Sequence, residues 1–123
     1  MANTYRELTA WQKAFSLSLD VYRAARCFPR VEVYGLAAQM QRASVSIPSN
    51  IAEGFGRRTT PDFLRSLYIA YGSICELQTQ IMLATELGYI KREASDSLLQ
   101  SSGDVERLTK AFIRSLEKKR LER

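Results

Sequence analysis

A chain of 123 residues that is 46% hydrophobic has enough apolar material for one core without staples and no room for a second domain. It carries 18 Lys and Arg against 13 Asp and Glu, a formal net charge of +5, and no histidine, so the commonest general base and the commonest zinc, copper and haem ligand are excluded together. The only cysteines, Cys27 and Cys75, lack the paired spacing of a metal knuckle or a redox motif and are expected as small core residues.

Met1 to Gln12 holds Arg6, Glu7 and Gln12 and shows no secretory core, and no apolar run reaches bilayer length, which points to a soluble, reducing, cytoplasmic setting without membrane association. Positive charge is concentrated in residues 1–30 and 91–123, whereas 61–90 holds Arg65 against Asp62, Glu76 and Glu86 and is expected to be the most buried stretch.

Apolar residues recur at three and four along the chain and nowhere alternate at two, so every element is predicted helical. A first helix over about 5–27 sets Leu8, Trp11, Phe15, Leu19 and Tyr22 on one stripe, with Ala14, Leu17 and Val21 beside it, and Phe28-Pro29 ends it. A second helix over about 32–55 aligns Val33, Leu36, Met40, Ala43, Ile47, Ile51 and Phe55. Pro48 falls inside it; proline cannot donate to the carbonyl of Ser44 and its ring crowds that carbonyl, which predicts a kink or a restart. Ser46, Ser49 and Asn50 are placed to bond the freed backbone groups, and Asn50 with Glu53 has capping-box spacing. The segment reads either as a structural kink or as a ligand or partner site.

Thr60-Pro61-Asp62 predicts the start of a third helix, with the Thr60 hydroxyl as cap. Phe63, Leu67, Ala70, Ile74, Leu77, Ile81 and Ala84 form its heptad seam, while Leu64, Tyr68, Tyr71, Cys75 and Met82 form a second stripe. Two stripes fit either a self-association surface, with Leu64, Tyr68 and Tyr71 at the oligomer interface, or a central helix covered on two sides by its neighbours. Gly88 is the expected stop. A fourth helix over about 91–120 turns Ala94, Leu98, Val105, Leu108, Phe112 and Leu116 inward, and Gly103 in Ser101-Ser102-Gly103 weakens its middle by roughly 1 kcal/mol. Short connections make neighbours antiparallel, so the expected fold is one all-α domain over 1–123, an up-down-up-down four-helix bundle with its second helix kinked at Pro48.

Several strings carry a resemblance: Tyr5-Arg6-Glu7-Leu8 with Trp11-Gln12-Lys13-Ala14, Tyr34-Gly35-Leu36, Gln39-Met40-Gln41-Arg42-Ala43, Ser46-Ile47-Pro48-Ser49-Asn50-Ile51-Ala52-Glu53-Gly54 and Glu86-Leu87-Gly88-Tyr89-Ile90. Over about residues 5–116 the chain resembles the bacterial four-helix bundle proteins first known from open reading frames within intervening sequences of large-subunit ribosomal RNA genes. That family is similar to the accessory variability determinant of diversity-generating retroelements, a basic, barrel-shaped homopentamer that binds a reverse transcriptase and nucleic acid. The resemblance implies a ring of five protomers and an RNA-related scaffold role, with Ser46, Ile47, Pro48, Ser49, Asn50, Glu53 and Gly54 as the family motif. It implies no enzymatic activity. Met40-Gln41, where relatives are often more basic, weakens the second helix as an RNA-binding face.

Two functional readings follow. In the first, Arg57 and Arg58 at a helix end and Lys110, Arg114, Lys118, Lys119 and Arg120 near the C-terminus form a basic surface for RNA or DNA, which oligomerisation amplifies. Its plain alternative is a solvated helix end with dipole-compensating lysines. In the second, the chain is a protein-interaction adaptor that docks a partner enzyme and has no nucleic-acid binding of its own. Catalysis is not expected, because Glu53, the one carboxylate that could be posed as a base, has the i, i+4 order of an ion pair with Arg57 and no companion nucleophile. No cofactor or metal is expected either.

Overall fold

The computed structural model describes residues 2–122. Its helices are α1 (Thr9–Ala25), α2 (Leu36–Phe55), α3 (Thr60–Glu86) and α4 (Arg92–Leu121), with single 3-10 turns at Tyr5–Glu7 and Arg30–Glu32. Each helix packs against its chain neighbours and α4 closes on α1, while α1 and α3 do not meet, which is an up-down-up-down four-helix bundle with α1 and α3 at diagonal corners. The α3–α4 pair is antiparallel, since Thr85 reaches Ser95 at one end and the Phe63 and Phe112 rings meet at 5.0 Å near the other.

The predicted seam of α3 is the centre of the core: Leu67, Ala70, Ile74, Leu77, Ile81 and Ala84 are all fully buried. Gly88 ends the helix as expected. Its φ of 80° lets the Tyr89 N–H reach the Ala84 carbonyl at 2.8 Å and the Gly88 N–H reach Thr85 at 3.0 Å, so the orphan carbonyls of the last turn are satisfied. Tyr89 then donates its hydroxyl to Glu32, whose other carboxylate oxygen accepts the Leu36 N–H and starts α2.

Several expectations are corrected. The first helix begins at Thr9, because Thr4 caps a separate 3-10 turn and Leu8 is extended. The second begins at Leu36, leaving Val33 outside it and half-exposed. The α3 cap is Thr59, whose hydroxyl accepts the Asp62 N–H at 3.3 Å, and Thr60 is the first helical residue. On α4 the buried face is centred on Ser95, Leu98, Ser102, Val105, Thr109 and Ile113, so Ala94 is exposed. Small polar side chains occupy this face where α4 crosses α3; Ser102 bonds the Leu99 carbonyl and accepts from Gln78. Both cysteines are exposed and unpaired, Cys75 on the outward side of α3 and Cys27 just beyond α1.

The largest correction concerns α1. Its core face is Ala10, Ala14, Leu17, Ser18, Val21 and Ala25, and the aromatic stripe lies on the flank, with Phe15 47% exposed and Leu19 and Tyr22 each 43% exposed. Small residues facing inward let α1 approach α2 closely, and the bulky ones are turned aside.

Two glycines predict opposite outcomes. A Cβ on Gly54 would lie 2.7 Å from a Phe63 ring carbon and 2.9 Å from the Ser66 Cβ. The Phe63 ring is itself held between Phe55 and Phe112, so it cannot swing away. Gly54→Ala is expected to cost about 1–3 kcal/mol in urea denaturation. A Cβ on Gly103 meets nothing closer than the end of Arg107, and Gly103→Ala is expected to gain about 0.5–1 kcal/mol.

Candidate functional site

Pro48 is buried inside α2, which runs unbroken from Leu36 to Phe55 and does not restart at Asn50. Asn50 and Glu53 therefore stand in mid-helix and make no capping box. The carbonyl that Pro48 leaves without a donor belongs to Ser44, a fully buried residue. It accepts a hydrogen bond at 2.8 Å from the hydroxyl of Ser18 on α1, which also lies 3.1 Å from the Ala14 carbonyl. The donor was expected from within the motif and comes from the neighbouring helix instead. The signal in the sequence was a lone serine on an otherwise apolar inward face of α1.

The remaining motif residues point in several directions. Ile47 is fully buried in the core. Asn50 donates to the Ser46 carbonyl at 2.8 Å and to the Ser46 hydroxyl at 3.1 Å, and Ser73 of α3 lies 2.8 Å from that same hydroxyl. Glu53 pairs with Arg57 at 3.7 Å on an exposed face, a contact worth little in water. Gly54 admits the close passage of α3. Ser49 is also exposed and lines a groove between α1 and α2.

That groove is walled by Tyr5, Trp11 and Phe15 on one side and by Val45, Ser49 and Ala52 on the other, with Ser18 and Pro48 also lining it. Trp11 and Phe15 are stacked, 5.1 Å between centroids and 26° between planes; Tyr5 meets Trp11 edge-on at 5.2 Å, and the Arg6 guanidinium sits 5.0 Å over Tyr5. Arg6 and the aromatic wall were not among the sequence-derived site residues, because Trp11 and Phe15 have the spacing of a core face and Tyr5 and Arg6 lie in a separate turn before it.

The basic residues separate into two groups. Tyr68 of α3 donates to Glu117 of α4 at 2.6 Å, which lays the last turns of α4 beside the first turns of α3. Lys118, Lys119 and Arg120 consequently reach the same end of the bundle as Arg57 and Arg58 in the α2–α3 turn. All five are exposed, and among the described residues only Arg57 of the five makes an ion pair. The hydrogen bond to Glu117 pushes the Tyr68 phenol up, opposed by the charge of Arg120 close by.

Lys110 stands apart. It lies 3.3 Å from Glu106 and 5.4 Å from the Tyr71 ring centroid, and its ammonium is held protonated first by that carboxylate. Glu106 is in turn held below the usual carboxylate range, first by the Gln78 amide and then by Lys110. Arg114 is exposed one turn further on.

The expected interface residues also divide. Leu64 is 1% exposed and belongs to the core of its own protomer, because position 64 falls on the side of α3 that carries Leu67. Tyr71 is half-buried beneath Lys110, and Tyr68 keeps an exposed ring. The outward face of α3 is otherwise unoccupied: Ile69, Met82 and Leu83 are each about half exposed, and between Ser66 and Leu87 the only charges are Glu76 and Glu86.

Among the described residues no cluster of His, Cys, Asp and Glu could hold a metal ion, and no helix is long and apolar enough to cross a membrane. The family model described as 23S rRNA-intervening sequence protein matches residues 6–111. Among solved structures, the chain is similar to a protein of unknown function from the S23 ribosomal protein family of Bacteroides thetaiotaomicron. The two are 22% identical with a TM-score of 0.80, over 85% of this chain and 98% of that one. At that identity the likeness speaks to the fold. No curated protein matches.

The linkage between Ser18 and Pro48 is testable. Ser18→Ala is expected to cost about 1–3 kcal/mol in the natural chain, where it strands the Ser44 carbonyl in the core. In a Pro48→Ala background, where residue 48 regains an N–H for that carbonyl, the same change is expected to cost much less. Urea denaturation of the four chains measures the coupling, and equal costs in both backgrounds contradict it.

Proposed function

The chain belongs to the 23S rRNA-intervening sequence protein family, and from that premise we propose that it is a non-enzymatic, cytoplasmic, homo-oligomeric scaffold whose basic surface binds nucleic acid, RNA in the first instance, without sequence preference. The observation that carries the reading is the convergence of Arg57 and Arg58 with Lys118, Lys119 and Arg120. These groups are some sixty residues apart in sequence and reach one end of the bundle through the antiparallel pairing of α3 and α4. Exposed cations gathered on one surface attract phosphates through counterion release, a sequence-independent and salt-sensitive attraction. Copies arranged with these ends together add their fields, so a modest charge per protomer becomes a strong one.

Self-association is supported by the outward face of α3. Ile69 with the Tyr68 ring towards one end, and Met82 with Leu83 towards the other, leave exposed apolar groups on a face that carries little charge. On the diagonal helix, Leu19 and Tyr22 are also exposed. Two apolar faces on opposite sides of a protomer suit head-to-tail contacts that close into a ring, and a ring of five is what the relatives' resemblance suggests.

Filter binding of structured RNA across a salt series is expected to give a steep fall in affinity. Replacing Lys118 and Lys119 together by alanine should lower the logarithmic slope by about 1 for each phosphate that is no longer neutralised. Weak retention that ignores salt favours the adaptor reading, in which a partner protein and not the chain itself holds the nucleic acid. Light scattering is expected to give a multiple of the protomer mass, and Ile69→Glu is expected to reduce it. A single protomer at micromolar concentration overturns the scaffold.

A further inference from the structure

We infer that the aromatic wall of the α1–α2 groove, Tyr5, Trp11 and Phe15 with Arg6 over Tyr5, is a stacking platform for the unpaired bases of a single-stranded polynucleotide whose phosphates lie on the basic end of the bundle. The inference rests on the nucleic-acid reading above and specifies the class of strand. Three observations support it.

First, the rings are presented outward. The core face of α1 is filled by Ala10, Ala14, Leu17 and Val21, so Phe15 is left 47% exposed and Trp11 half-buried, already stacked as a two-ring step. Opposite them stand the short side chains of Ser49 and Ala52, which leave room beside the rings.

Second, the charges suit a polyanion. None of the groove's lining residues is acidic. A cation borders it, since Arg6 covers the lining residue Tyr5, and guanidinium over an aromatic ring is a common neighbour of stacked bases.

Third, the groove leads to the basic end. Phe15 and Trp11 line it together with Pro48 and Ala52, so α1 runs antiparallel to α2 here, and the Tyr5–Glu7 turn packs against α2. Arg57 and Arg58 follow directly on the last turn of α2. A strand whose backbone tracks those cations can lay a base against Phe15, the exposed ring of the wall, and so extend the Trp11–Phe15 stack. Base pairs in a duplex are already stacked on one another and offer no free face, so a duplex has no use for the groove.

Trp11 is the only tryptophan, which makes it a reporter in the full-length chain. Titration with oligouridine is expected to quench its fluorescence with the same midpoint as filter retention, and a fully paired RNA hairpin is expected to bind without quenching. An oligothymidine arm separates the two sources of such a strand: equal quenching means that RNA and DNA are both accepted. Phe15→Ala is expected to weaken oligouridine binding about tenfold, Phe15→Tyr to restore it, and neither to alter hairpin binding. If both nucleic acids bind alike, without quenching and without response to Phe15→Ala, the platform is refuted and the basic end stands. If neither nucleic acid is retained, both fall. If Phe15→Ala changes the oligomeric mass and leaves oligouridine binding intact, the groove is a contact between copies and the inference is overturned.

Discussion

A buried carbonyl with no donor in its own helix is the constraint around which the bundle is arranged. Pro48 deprives Ser44 of its intrahelical partner in the middle of the core, where an unpaired acceptor costs about 1–3 kcal/mol. Ser18 supplies the proton from α1. That bond forms in one rotation of α1 only, the rotation that also buries Ala10, Ala14, Leu17, Val21 and Ala25. With Ser18 inside, Ala14 and Val21 are inside with it, and Phe15, Leu19 and Tyr22 are carried to the flank. The same constraint therefore closes the core and creates an exposed aromatic surface.

The other polar contacts of the interior fix where the helix ends lie. Glu32 starts α2 and holds Tyr89 beyond the end of α3, so the two connections at that end of the bundle are tied together. Ser102 and Gln78 join α4 to α3 at mid-height, and Tyr68 with Glu117 joins them near the opposite end. Each bond is modest, yet together they hold α4 in register over its length and bring Lys118, Lys119 and Arg120 level with the α2–α3 turn. The function proposed for the chain depends on this register, since separated cations attract a phosphate backbone weakly and a gathered group attracts it strongly.

The motif that most distinguishes the chain turns out to be divided among several tasks. Ile47 fills the core, Ser46 and Asn50 knit α2 to itself and to Ser73, Glu53 meets Arg57 in solvent, and Gly54 lets α3 pass close to α2. Pro48 and Ser49 line the groove between α1 and α2. Such a division explains how a short string can be specific to a fold.

Much of the fold was legible in the sequence. The α3 seam from Leu67 to Ala84, the stop at Gly88 and the four-helix arrangement follow from periodicity and from glycine and proline chemistry, which act over a few residues and leave a local trace. Which apolar stripe of α1 faces inward was not legible: Trp11, Phe15, Leu19 and Tyr22 have the spacing of a core face, and the alanines beside them look like the poorer candidates. Nor could Leu64 be told from Tyr68, or Lys110 from Lys118, because each pair shares a local pattern and differs in what lies across the helix boundary. Sequence alone determined the helices, their order and their charges, since those depend on neighbours along the chain. Tertiary structure decided the rotation of α1, the donor for Ser44 and the gathering of cations at one end, since these depend on side chains that meet only when distant helices pack.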